Sequence, residues 1–399
     1  MERKGPLKKM KVIEFGNVIA GPFCAALMAD YGADVVKIEM PKTGDPFRQF
    51  LPHIQEQSIR WATMGRNKRC ITLDLRKPPA REIFLRMVEE ADCVIENFKP
   101  GTIEKWGVGY DEMRKRNPKV VLVRISGFGQ NGPYREKAGF GMPLCAFSGY
   151  TALQGFPDRP PVSNPLSLTD YMAGIYGFMG AMSAMYAVKS GETEFGQVVD
   201  VSLYEPLVRM MDVFVSEYSL TGHKHTRAPY PSGASPSNIF GTADGKWIIM
   251  AASTQNTWEK LVEVMGMPEL LTNPKYKTNS DRVAHDDEVM DIVGGWIKSH
   301  TAKDIVRILD AVGVPSSQCN EIDDMFADPQ FISRQSIVNV PHPVFGKIDM
   351  PNIFPVYSDT PCEIRHCGKP IGTDNEGVYL GELNLSSEEF EKLKQDGVI

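Results

Sequence analysis

Short apolar runs alternate with helix-period segments through the first half of this chain, and that rhythm constrains the fold more than any single motif. Residues 11–15 (Lys-Val-Ile-Glu-Phe) read as a strand, Ala20 to Tyr31 as a helix, and 34–39 (Asp-Val-Val-Lys-Ile-Glu) as the next strand. Together they make a βαβ unit with a Gly-containing turn, Gly16 to Gly21, after its first strand. The pattern continues with a strand at 70–75, a helix from about Pro79 to Glu90, and strands at Cys93–Glu96, Lys119–Ile125 and Gln197–Tyr204. Such alternation predicts an α/β fold with a parallel sheet covered by helices. Ligands of these sheets gather beyond the carboxyl ends of the strands. Those ends carry Asn17-Val18-Ile19, Asn97-Phe98-Lys99 and Gly127 to Gly129. None is a phosphate loop or a G-x-G-x-x-G fingerprint, which takes away the ground for a nicotinamide-dependent dehydrogenase.

The character changes after Tyr204. Residues 218–237 form a polar, Pro-rich connection, followed by a hairpin signal with its turn at Ala243-Asp244-Gly245. Helical segments are expected at about 256–265, 286–299 and 302–312, the last opened by Thr301-x-x-Asp304. A chain of 399 residues is too long for one ordinary core. The reading is therefore a large domain from 1–217 and 326–399 and a smaller α+β domain with its linkers at 218–325. The tail, with a helix opened by Ser386-x-x-Glu389, is expected to return to the first domain.

The formal net charge is -6 with Lys and Arg scattered, which argues against nucleic-acid and membrane-surface partners. The basic first residues precede only a short apolar run with no small-residue cleavage site, so no secretory signal is read. Seven dispersed cysteines fit a reduced, cytoplasmic setting, with Cys24 and Cys93 in apolar patterns expected to be buried thiols. Cys362, His366 and Cys367 have no second ligand pair at zinc spacing, and no metal site is assigned. The longest apolar stretch, Tyr171 to Val188, is broken by Gly174, Gly177, Gly180 and Ser183. It reaches only the lower limit of a membrane span, about 18 residues, and reads as a buried helix.

Asp170 stands just before that apolar helix, in Ser167-Leu168-Thr169-Asp170-Tyr171. Asp is a favoured N-cap, and a cap at the positive helix end is the plain reading. The same surroundings would keep the carboxylate ionised and able to attack a thioester, so cap and nucleophile are compatible roles. The seven histidines lie in polar or Pro-flanked segments or beside cysteines, and no G-x-S-x-G stands out, which disfavours serine or cysteine hydrolase chemistry. Arg76, Lys99 and Lys105 lie near strand ends; isolated surface lysines are normally just solvated, but the group would suit a polyphosphate. Asn97-Phe98-Lys99-Pro100-Gly101 is a turn whose amide and aromatic ring also suit an adenine.

These residues resemble the class III CoA-transferases, which include formyl-CoA:oxalate and crotonobetainyl-CoA:carnitine CoA-transferases. The resemblance runs nearly end to end. It includes Ala20-Gly21-Pro22-Phe23, the segment 30–39, Asn67-Lys68-Arg69, 96–101 (Glu-Asn-Phe-Lys-Pro-Gly), 126–133 (Ser-Gly-Phe-Gly-Gln-Asn-Gly-Pro), 168–174 and Gly372 to Glu376. It implies a Rossmann-like large domain built from both ends of the chain, a small domain between, and a homodimer of interlinked rings. It implies that Asp170 is the nucleophile and that acyl-CoA and a carboxylic acid are substrates, with no prosthetic group. CoA contacts carried over by the resemblance are Val18, Ile19 and Ala20; Leu73, Asp74, Leu75 and Arg76; Asn97, Phe98 and Lys99; Lys105; and Lys137, Ala138, Gly139 and Phe140. Lys105 stands where several members carry arginine, keeping charge without bidentate geometry. Met40 and Ile19 replace an arginine and a glutamine of the formyl-CoA:oxalate enzyme, and Ala251 to Gln255 lacks its glycine-rich loop. The departures turn the expectation from oxalate toward carnitine-, 2-hydroxyacid- or bile-acid-like acceptors. A racemase of α-methylacyl-CoA esters is the alternative within the same fold. Its relatives carry histidine at the place of Phe140, a side chain that takes no proton. Residues 251–256 are the segment expected to close over the intermediate.

Overall fold

The computed structural model describes residues 3–227 and 233–399, so 228–232 of the Pro-rich connection lie outside the described residues. Two compact units are present, one of Met1–Ala152, Ser163–Lys224 and Arg334–Ile399, the other of Leu153–Val162 and His225–Ser333.

The first unit is built on six parallel strands: β1 (Lys11–Glu14), β2 (Asp34–Glu39), β3 (Arg69–Thr72), β4 (Cys93–Glu96), β5 (Val121–Ser126) and β6 (Val198–Ser202). Their spatial order is β3-β2-β1-β4-β5-β6, so the winding reverses between β1 and β4. This is the doubly wound order whose crevice at the reversal takes ligands, and the α/β expectation holds.

Alternate strand residues face opposite layers. Ile13, Val36, Ile71, Val94 and Leu122 join Ile83, Phe84 and Val88 of helix Pro78–Val88 on one face. Val12, Val35, Cys93, Val121 and Val123 meet Cys24, Ala25 and Met28 on the other. Both predicted buried thiols, Cys24 and Cys93, are fully enclosed. On that second face α1 (Ala20–Asp30) packs against a long helix, α2 (Leu168–Ser190). Close approach is possible because α2 turns Gly174 and Gly177 inward. A Cβ at Gly174 would lie 2.9 Å from the Phe23 ring, and one at Gly177 would lie 3.1 Å from Ile125. The glycines that interrupt the apolar stretch are thus packing residues, and among the described residues no helix is long and apolar enough to cross a membrane.

The tail residues 334–399 seal the β3 edge. The Asp374 carboxylate accepts from Cys70 N at 2.8 Å, Asn375 Oδ1 from Thr72 N at 2.9 Å, and Tyr379 Oη donates to Thr72 O at 2.6 Å. An edge strand covered in this way offers no template for another chain. The tail helix Ser387–Gln395 opens with the Ser386–Glu389 capping box read from sequence.

The second unit carries a three-stranded sheet in which Ser237–Gly241 and Trp247–Ala251 pair antiparallel, with Ser316–Gln318 on the outer side of the latter. Helices Gln255–Met265, Asp286–Ile297 and Ala302–Val312 bury Trp258, Leu261, Val293 and Leu309 against it. Thr301 caps the last of these through Asp304 N at 3.2 Å. The segment 251–256 is the end of a strand and the start of a helix capped by Thr254. The connection expected from 218 begins later, because helix Val213–Thr221 runs through its first residues.

Candidate functional site

At the β1/β4 reversal the loop Gly16–Ile19 leaves β1 and the loop Asn97–Gly101 leaves β4. The Asn97 amide ties them together: Asn17 N donates to Asn97 Oδ1 at 2.7 Å, and Asn97 Nδ2 donates to Asn17 O at 2.8 Å. The fit is close, since a Cβ on Gly16 would lie 2.7 Å from Asn97 Oδ1. Val18 has φ +67°. β-branched residues avoid this left-handed region, and holding one there costs on the order of 1–3 kcal/mol. The strain is held from below. Asp45 Oδ1 accepts from Val18 N at 3.0 Å and from Phe47 N at 2.8 Å, and Asp45 Oδ2 is 2.8 Å from Lys37 Nζ.

Lys37 also donates to Glu14 Oε1 at 2.8 Å and to Gly16 O, while Lys68 Nζ reaches Glu14 Oε2 at 3.3 Å and Pro22 O at 2.7 Å. Glu14, Lys37 and Lys68 are fully buried. Burial pulls the Lys37 ammonium down, but the Asp45 and Glu14 carboxylates outweigh it and hold the group above its ordinary range. Burial works against the Asp45 carboxylate as well, and Lys37 wins, holding it below the usual carboxylate range.

Above this floor opens a cavity of about 300 Å³. Asp170 lies within it, in the first turn of α2 at the third helical position. The expected N-cap role is corrected here: Ser167 is the cap residue, its side chain makes no capping bond, and Asp170 lies one turn inside. Burial pushes the Asp170 carboxyl up to about 6, against the opposing pull of its own backbone N–H and the Thr169 hydroxyl. The expectation of an environment that simply favours the charged form is corrected too. Desolvation dominates, leaving a carboxylate that is ionised at neutral pH yet more basic than a surface Asp. Its neighbour across the cavity is Gly141, at the start of helix Gly141–Phe147. A Cβ at Gly141 would stand 2.0 Å from Asp170 Oδ2, so the backbone itself is the wall there.

Val18, Ile19, Ala20, Asn97, Phe98 and Lys99 line the cavity on one side. Lys137, Ala138, Gly139 and Phe140 line it on the other. Phe98 packs edge-on to Trp106, and Lys137 Nζ sits 3.5 Å above the Tyr134 ring. Lys105 lies in an adjoining concavity of about 530 Å³, which shares Lys99, Pro100 and Arg135 with the first. Leu73, Asp74, Leu75 and Arg76 line neither. Leu73 and Leu75 are core residues, and Asp74 grips Arg76 through bonds of 2.7 and 2.9 Å. Sequence reasoning missed Asn17, Arg135 and Gly141. The basic Arg135 beside Lys137 in a Gly- and Pro-rich segment was the available signal for the second; nothing local marks Gly141.

A nucleophilic carboxylate at the base of a largely apolar pocket, with cations at its mouth, suits covalent chemistry on a carbonyl attached to an anionic carrier. Comparison with known proteins gives the same direction. The model of CoA-transferase family III matches residues 7–375. The succinyl-CoA–D-citramalate CoA-transferase of Chloroflexus aurantiacus is 40% identical over 398 residues, covering 99% of this chain and 98% of that protein. The succinyl-CoA–L-malate CoA-transferase beta subunit of the same organism is 36% identical, covering 99% of this chain and 98% of that one. A CAIB/BAIF family protein from Brucella suis superposes with a TM-score of 0.83 at 28% identity, covering 94% of this chain and 99% of the other.

Proposed function

Because the chain belongs to the class III CoA-transferase family, we propose that it moves CoA from succinyl-CoA to a 2-hydroxydicarboxylic acid, with Asp170 as the covalent relay. The observation that carries this reading is the placement of Asp170 at the base of a pocket whose mouth holds Lys99, Arg135 and Lys137. The choice of acids follows the names of the similar proteins, whose acceptors are citramalate and malate. It keeps the 2-hydroxyacid branch of the sequence expectation in preference to the carnitine and bile-acid ones.

The Asp170 carboxylate attacks the succinyl carbonyl, the C–S bond breaks, and an acyl-aspartyl anhydride forms with CoA thiolate. The thiolate attacks the aspartyl carbonyl, releasing succinate and leaving an aspartyl-CoA thioester. The acceptor carboxylate then attacks that thioester and expels thiolate. The thiolate returns to the acceptor carbonyl of the new anhydride, freeing the acyl-CoA product and the Asp170 carboxylate. Covalent storage divides one hard exchange into steps of similar difficulty. The basicity that burial gives Asp170 favours attack. Lys99, Lys105, Arg135 and Lys137 would hold the CoA phosphates, and Val18, Ile19, Ala20 and Phe140 the pantetheine and acyl chain. Racemisation requires a base on each side of the carbon. Among the described residues lining the cavity there is no histidine and no carboxylate besides Asp170.

A cytoplasmic homodimer completes the reading. The first unit exposes Tyr186 (71%), Val213 (54%), Val215 (52%) and Leu220 (85%) on neighbouring helices, an apolar surface that a second copy would cover.

Intact-mass spectrometry after incubation with succinyl-CoA, with hydroxylamine trapping, tests the relay. The expected result is a CoA-sized adduct mapped to Asp170, absent in Asp170→Ala, with turnover reduced by roughly 10⁴-fold or more. Citramalate and malate should outcompete oxalate and carnitine as acceptors. Wild-type transfer with no adduct at Asp170 would refute the assignment.

A further inference from the structure

We propose that Asp45 is a positioning residue for CoA transfer: backed by Lys37, its carboxylate locks the Asn17–Val18 turn and so fixes one wall of the cavity that holds Asp170. The inference rests on the reading of Asp170 as the nucleophile and goes beyond it to the groups that hold the site in shape.

Asp45 lines neither concavity, so its effect on the site passes through the turn. One oxygen holds the backbone N–H groups of Val18 and Phe47, and the other is left for Lys37. Lys37 in turn holds the Gly16 carbonyl. A single buried ammonium therefore grips the turn at its first residue directly and at its third through Asp45. The Asp45 N–H is itself fixed by Glu39 Oε1 at 2.8 Å, and Glu39 is gripped by Arg48 at 2.8 and 2.7 Å. Buried ion networks are poor stabilisers, since apolar packing of equal volume usually serves as well. What this network supplies is direction. A β-branched residue at φ +67° persists only where its surroundings over-determine it. Released, Val18 would relax to negative φ, swinging its side chain and N–H away from their present lines. Ile19 and Ala20 follow directly and open α1, which has no side-chain cap of its own. The clamp therefore also sets where that helix begins, beside Asp170.

The test is the single-turnover rate of aspartyl-CoA formation from succinyl-CoA, followed by quenched-flow mass spectrometry on the full-length enzyme, alongside thermal midpoint and CoA affinity. Asp45→Asn keeps the shape and an acceptor for Val18 N–H but removes the charge opposite Lys37. Adduct formation should slow by roughly 10- to 100-fold, the range expected when a reacting group is displaced by about an ångström. Asp45→Glu, which keeps Lys37 compensated but moves the oxygens, should slow it as well, and it serves if Asp45→Asn does not fold. Glycine accepts φ above zero without penalty. Hence Asp45→Asn with Val18→Gly should be no slower than Asp45→Asn alone. Asp30→Asn, which breaks the buried Asp30–Arg66 pair away from the turn, should lower the thermal midpoint and leave the adduct rate unchanged. A wild-type rate in Asp45→Asn or Asp45→Glu, or losses that multiply in the double variant, would overturn the proposal. A wild-type enzyme that forms no adduct at all would instead overturn the Asp170 reading, and the inference with it.

Discussion

The two ends of one cavity use charge in opposite ways. At the floor, Glu14, Lys37, Asp45 and Lys68 are almost wholly enclosed and spend their polar atoms on each other and on the backbone of the β1 turn. At the mouth, Lys99, Lys105, Arg135 and Lys137 are exposed. Arg135 makes one loose pair with Glu136 at 3.3 Å, and Lys137 lies over an aromatic face. Charge pairs in bulk water are worth about 1 kcal/mol at 4 Å, and several times more where water is excluded. The floor charges therefore fix geometry and cannot be removed singly. The mouth charges act additively on a bound anion and can be. That contrast can be attacked from both ends.

The largest effect belongs to Lys37→Met. It leaves the Glu14 and Asp45 carboxylates buried without their shared cation, and breaking a buried pair in this way costs about 3–5 kcal/mol. Urea unfolding should report a loss of that size and single-turnover assays a failure to form the adduct. Lys99→Met should leave the unfolding midpoint where it is. Equal stability losses in the two variants would erase the distinction.

Gly141→Ala comes next and separates rate from stability. The new methyl would stand 2.0 Å from Asp170 Oδ2, and a carboxylate on two rotatable bonds can swing aside cheaply. Folding should change little, while adduct formation falls by about 10²-fold because the reacting oxygen is misplaced. A normal rate would mean that Asp170 reacts from another rotamer.

Asp170 shares burial with the floor but has no cation. Its folded pKa, raised from 3.8 to about 6, means that the folded protein binds this proton more readily than the unfolded chain does. Stability is therefore greatest below the unfolded value and falls as pH rises from about 4 to 6. The full cost, about 3 kcal/mol for a rise of that size, is present at neutral pH. Part of it is screened by the solvent that still reaches the group. Asp170→Asn should raise the thermal midpoint at pH 8 and lose that advantage at pH 4. The kcat/KM of the wild type should fall tenfold per pH unit below about 6. A pH-independent difference between the two proteins would contradict the burial account.

How much of this the sequence disclosed follows from the range of the contacts. The strands were legible because parallel strands buried on both faces read as unbroken apolar runs, so 34–39 and 93–96 coincide with β2 and β4. The ligand crevice followed from topology, since two of the three strand-end loops named at the outset flank the β1/β4 reversal and the third, after β5, adds Gly127 to the cavity lining. Asp170 was legible as a helix-start carboxylate, but its role came only from resemblance, and its pKa depends on walls set by residues far away in the chain. Asp45 reads locally as a loop acid, and its meaning lies with Lys37 and Val18, which other elements deliver. Gly141 was illegible for a plainer reason: what it must avoid, the Asp170 oxygen, lies beyond any local pattern.

The smallest effects belong to the mouth. Lys99→Ala, Lys105→Ala and Lys137→Ala should each raise the KM for succinyl-CoA about 3- to 10-fold with kcat nearly constant, since a phosphate contact present in ground and transition states alike changes binding only. Each loss should shrink as salt rises from 0.05 to 0.5 M, roughly the range over which the screening length falls below the reach of an exposed lysine. Combining the three should add their free energies, because exposed groups without shared partners act independently. Lys105 and Lys137 line different concavities, so that pair is the cleanest case. If their double variant lost far more than the product of the singles, or if the losses persisted at high salt, the mouth would be a fixed structure like the floor, and the division of labour between the two ends would be wrong.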